Sequence, residues 1–101
     1  MALGPKIMAE LKAAMKAKDT VARDTLRMLK SQLGEAELAK GGDLEEADEL
    51  AVLMRAVKTR TESAAQYAEG GRQDLADKER AEITVIQRFL PKALTEDEAR
   101  A

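Results

Sequence analysis

Arg23, Arg27 and Lys30 fall at i, i+4 and i+7, so on a helix they share one side of the cylinder. Cations in such a row suit anionic oxygens, and the extended anion they match is a phosphate backbone. Arg55 and Lys58 stand one turn apart further on, with Arg60 nearby, and Arg72 follows a glycine pair. Arg23, Arg27, Lys30, Arg55, Lys58 and Arg72 are therefore the candidate nucleic-acid contacts. Arg72 adds the free amides of a helix start, which favour an anion. A plainer alternative is that these cations are solvated or are neutralised by the acidic second half of the chain; composition alone favours it. No aromatic residue interleaves with them to stack bases.

Catalysis has little to work with. The chain contains neither His nor Cys, which removes the usual general base, the thiolate nucleophile and the commonest metal ligands. Carboxylates remain as acid–base candidates. Glu45, Glu46, Asp48 and Glu49 cluster where a helix dipole attracts negative charge, which accounts for them structurally. Glu79 and Glu82 lie one turn apart in line with Leu75 and Ile86. Carboxylates on an apolar stripe need partners when buried, and Arg23, Arg27 or Lys58 are expected to supply them as structural ion pairs. The stretches "KGGD" and "EGGR" fit neither phosphate-loop nor dinucleotide spacing and read as turns. The expectation is no catalytic residue, no cofactor and no metal.

The elements that must position these groups are helical. Hydrophobic residues make up 45% of the 101 and charged ones 36%, too apolar for a disordered tail and too polar for a membrane protein. Only Tyr67 and Phe89 are aromatic, so the core is predicted to be aliphatic. Pro5 suits the first turn of a helix, and Ile7, Met8, Leu11, Ala14 and Met15 recur at helical spacing. Asp19 reads as the cap of a second helix over about 20–39, with Ala22, Leu26, Leu29, Leu33 and Ala36 inward and Gly34 inside it. "KGGD" breaks the chain. A third helix, about 45–68, turns Leu50, Leu53, Met54, Val57, Thr61, Ala64 and Ala68 inward and ends in a left-handed cap at Gly70–Gly71. A fourth, about 73–90, carries Leu75, Ile83, Val85, Ile86, Phe89 and Leu90 and stops before Pro91. Four helices with short connections predict an all-α, four-helix bundle.

Charge is uneven. Residues 1–40 carry a net +3 and residues 41–101 a net −5, within a total of −2. The lack of Cys gives no support to an oxidising compartment. The start, "MALGPKIMAELK", has no apolar stretch of signal-peptide length, and no run approaches membrane-spanning length. A cytosolic protein is the expectation.

The segments "AAMKAKD", "RDTLRMLKSQL", "LAVLMRAVKTRTES" and "GGRQDLADKERAEITVIQRFLPKAL" together resemble the GatB/YqeY family over nearly the whole chain. The last is the most specific, with Arg72, Asp74–Leu75, Lys78–Glu79, Glu82 and the ending Phe89–Leu90–Pro91. Phe89 stands where Tyr is commoner, and Glu45 where Ser or Thr often caps. The resemblance implies two helical bundles, the first of four helices. It further implies kinship with the tail of the tRNA-dependent amidotransferase B subunit (family label: carbon–nitrogen ligase with glutamine as amido-nitrogen donor). That tail contacts tRNA while chemistry proceeds in other domains. Thr95 and Glu98 have capping-box spacing, so residues 95–101 are expected to open the second bundle after a first domain of residues 1–94, the chain stopping near its start. The function implied is a non-catalytic accessory module that binds tRNA or docks on a tRNA-modifying protein. The alternative is a protein-interaction module without an RNA role. An amide-transfer enzyme lacks a nucleophile in this segment.

Overall fold

The computed structural model describes residues 3–91. The expected second-bundle start at 95–101 lies outside the described residues. Four α-helices follow one another: α1 Leu3–Ala17, α2 Thr20–Lys40, α3 Glu46–Glu69 and α4 Gln73–Gln87. Among the described residues there is no strand, and no helix is long and apolar enough to cross a membrane.

Local chemistry sets the boundaries. Asp19 caps α2, its Oδ1 accepting the Ala22 N–H at 3.1 Å, which satisfies one of the free first-turn amides. Just before it, Lys18 takes a left-handed conformation, φ 59°. Gly41 ends α2 in the same region, φ 81°, with its N–H on the Glu37 carbonyl. Glu45 begins α3, and the Asp48 carboxylate accepts its N–H at 2.8 Å as well as the Lys40 ammonium. Lys40, and after it the Glu45 amide, hold the Asp48 carboxyl below its usual range. Between α3 and α4 the left-handed residue is Gly71, φ 79°, whereas Gly70 is right-handed at φ −82°. α4 ends at Gln87, with short turns carrying the chain to Leu90.

α3 and α4 pack most extensively, α1 lies along α2, and α2 also rests on α4. α2 and α3 meet over a smaller area. Ile7, Leu26, Leu29, Leu33, Leu53 and Ile86 are the largest fully buried side chains. This is the aliphatic core that composition predicted, with Phe89 packed at its edge.

Four inward assignments differ from the sequence expectation. Met15 and Met54 are 51% and 41% exposed, and Thr61 and Ala68 also face solvent. Ala56 and Ala76 are buried instead, at 4% and 0%, while Ala64 is buried as expected, at 3%. Small residues on both α3 and α4 let the backbones approach near their turn. Glu49, assigned to the start of α3, is only 2% exposed, and its Oε2 accepts the Leu3 N–H of α1 at 3.2 Å. It thus serves the start of a different helix.

Gly34 sits inside α2, and a Cβ built there meets nothing within 4 Å. Close packing therefore does not require it. Gly34→Ala is expected to raise the unfolding free energy by about 0.5–1 kcal/mol, because alanine fixes less backbone freedom on folding. A urea melt checks this; a lower midpoint would show that the α2 surface is occupied there.

Candidate functional site

The outer face of α2 presents the basic strip in full. Arg27 and Lys30 are exposed and make no ion pair within 4 Å among the described residues. Arg23 Nε lies 3.0 Å from Oδ1 of its neighbour Asp24, with a third of its side chain still exposed. The Arg23 hydrogen bond lowers the Asp24 carboxyl against the opposing effect of burial, and the charges of Arg23, Arg27 and Lys78 lower it further. Lys78 comes from α4, so this cluster joins two helices. Lys18 joins it from the other side, lining a shallow recess of about 310 Å³ with Asp19, Arg23 and Arg27.

The remaining candidates are dispersed. Arg55 lines a groove of about 530 Å³ between α2 and α3, opposite Gln32 and Glu35. Lys58 is exposed and stands two residues before Arg60, which places it across α3 from the Arg60 side chain. Arg72 precedes α4, but its guanidinium grips Asp74, with Nη2 to Oδ2 at 3.2 Å. The structure therefore brings together Arg23, Arg27 and Lys30; Arg55 and Lys58 neighbour each other one turn apart on α3 but do not join that strip, and Arg72 stands at the α4 start on Asp74.

The interior ion pair differs in its cation. Glu82 Oε1 accepts Arg60 Nε at 2.9 Å, with side chains 15% and 17% exposed. Arg23, Arg27 and Lys58 take no part. Arg60 and Glu82 lie at matching distances from the Gly70–Arg72 turn, so the hairpin sets them opposite each other. Glu79 is half-buried and has no ion pair among the described residues.

Arg60 also faces a recess of about 410 Å³ between α2, α3 and α4, lined by Thr20, Asp24, Thr25, Lys78 and Glu82 among others. Its Nη1 donates to the Ala56 carbonyl at 3.1 Å and its Nη2 to the Met28 sulfur at 3.5 Å. Sequence reading missed Lys18 and Lys78 as members of the basic surface, and it named Arg60 only as a neighbour of Arg55 and Lys58, missing its pairing with Glu82. For Arg60 the hairpin symmetry was an available signal; for Lys78 none was, since the α2–α4 contact comes from packing. No group of three or more carboxylates suited to a metal ion occurs among the described residues.

The sequence matches the YqeY-like protein family over residues 5–101. Curated relatives carry the name "Altered inheritance of mitochondria protein 41, mitochondrial". The chain is similar to that of Kluyveromyces lactis, 33% identical over 87% of this chain and 50% of the relative. With that of Meyerozyma guilliermondii it shares 36% identity over 80% and 42% respectively. With that of Clavispora lusitaniae it shares 33% over 95% and 58%. The chain thus spans about half the length of the curated relatives it matches. A match covering nearly every residue, on an all-helical bundle, makes this chain a member of the YqeY-like family.

Proposed function

We propose that the bundle is a non-catalytic accessory module that contacts tRNA phosphates through the outer face of α2. One observation carries the reading. The interior carboxylate Glu82 draws its cation from Arg60, so Arg27 and Lys30 stay exposed without ion pairs among the described residues and Arg23 is held at the rim by Asp24. Lys18 and Lys78 extend the same positive surface. A strip of cations on a straight helix supplies a salt-dependent, sequence-independent attraction of the kind that positions a protein on RNA. Kinship with the amidotransferase B-subunit tail is part of the same proposal.

The double variant Arg23→Ala/Arg27→Ala is expected to weaken tRNA retention on a filter. The slope of log affinity against log salt should fall by about 1.5 to 2. Helical content should be unchanged, since both side chains lie outside the core. Unaltered retention would remove the assignment.

A protein-interaction module is the second reading, and Leu38 is its support. It is 84% exposed and continues the line of Arg27, Ser31 and Gly34 along α2. Binding to a protein partner that persists at high salt, with no tRNA retained at low salt, selects that reading.

A further inference from the structure

We propose that the recess between α2, α3 and α4 is a seat for one singly charged phosphate oxyanion, bound by Lys78 and Arg60 beside Thr25. The proposal deepens the phosphate-contact reading and rests on it only for the anion's source, an RNA phosphodiester or free phosphate.

Three groups there are under-used. Thr25 is 3% exposed, and its Oγ1 has no hydrogen-bond partner among the described residues. Buried hydroxyls are normally paired, so an exception inside a recess points to an absent partner. Arg60 commits Nη2 to the Met28 thioether at 3.5 Å, and sulfur is a weak acceptor. An anionic oxygen in the recess would replace that contact with a charge-assisted one. Lys78 lines the same space and makes no ion pair within 4 Å among the described residues.

The acids present limit the ligand's charge. Asp24 and Glu82 also line the recess, but each already accepts from an arginine, Arg23 and Arg60. Their charge disfavours a dianion, whereas a monoanion is attracted by Lys78 and by the spare capacity of Arg60. A volume of about 410 Å³ admits a phosphoryl group with its ester substituents. Asp24 lies within the field of Arg23, Arg27 and Lys78, so the seat adjoins the strip on α2 and a backbone following the strip has a route into it.

The test is a titration of the isotope-labelled chain with inorganic phosphate at pH 6, where the monoanion predominates, followed by amide and arginine side-chain NMR. Saturable shifts are expected at Thr25, Lys78 and Arg60 Nε. Lys78→Met and Thr25→Val should each weaken binding by about tenfold, the loss of one hydrogen bond to a charged group. Lys78 is exposed, so its variant keeps the fold; Met28→Leu, which removes the competing sulfur, should bind at least as tightly as the parent. Repeating the titration with tRNA identifies the source. The same resonances shift if a backbone phosphate enters, and remain still, with phosphate binding intact, if the seat serves a free anion. No saturable shift at the recess, or equal phosphate affinity in Lys78→Met and Thr25→Val, overturns the proposal. The strip on α2 would then stand or fall on Arg23 and Arg27 alone.

Discussion

Ile86→Ala is expected to lower the unfolding free energy by about 3 kcal/mol, the usual cost of removing a large aliphatic side chain from a core. Ile86 is 0% exposed and belongs to the cluster that also holds Leu26, Leu29, Leu33 and Leu53. It lies on α4, the helix that rests on both α3 and α2, so the cavity left behind opens at the junction of three elements. A single domain of this size has a total stability of about 5–15 kcal/mol. The loss is thus a large share of the whole. In a urea melt the midpoint should fall with the slope unchanged, and the thermal midpoint should drop by roughly 15 °C. Met54→Ala is the matched control. Met54 is 41% exposed, and its truncation should cost well under half as much. Near-equal effects of the two would mean that α4 does not close the core.

Ile86 was readable from sequence, and the reason marks how far such reading reaches. Helix existence and limits depend on local signals: Asp19 as a cap, Gly41 as a left-handed stop, the Gly70–Gly71 pair, and the missing amide of Pro91. Each acts within one turn of its own position, so sequence order carries it. Facing on α3 is different. The inward line runs through Glu49, Leu53, Ala56, Arg60 and Ala64, and two of its members are charged. A reading that keeps charge off the inner face turns the helix toward Met54, Thr61 and Ala68 instead. Glu49 and Arg60 are tolerated inside because each has a partner, the Leu3 amide and the Glu82 carboxylate. Those partners sit on other helices and cannot be seen from α3 alone.

The candidate site divides along the same line. The strip Arg23, Arg27 and Lys30 needs only the helical period, so spacing reveals it. Arg55, Lys58 and Arg72 share the charge but not the strip: Arg55 lines the α2–α3 groove with Lys58 one turn on from it along α3, and Arg72 is held on Asp74. Lys78 reaches the strip through the packing of α4 on α2, which no periodicity encodes. Thr25 carried no signal at all. Its open hydroxyl is a property of the surroundings, and its residue type suits a helix interior in many unremarkable settings.

The Arg60–Glu82 pair carries the other large effect. Arg60→Met should destabilise the bundle by about 2 kcal/mol, because Glu82 is then left without a partner while its side chain is only 17% exposed. Glu82→Leu leaves the Arg60 guanidinium with the Ala56 carbonyl and the Met28 sulfur alone, and a similar loss follows. Removing both should cost much less than the two losses combined, because apolar groups of similar shape then meet where two charges had been desolvated. The coupling energy from the cycle is expected at about 1.5–2 kcal/mol. It can be read from four urea melts at constant pH. Additive losses would mean that water serves both groups as well as they serve each other. In that case nothing would hold Glu82 to Arg60, and the carboxylate would be free to neutralise the neighbouring cations on which the phosphate reading depends.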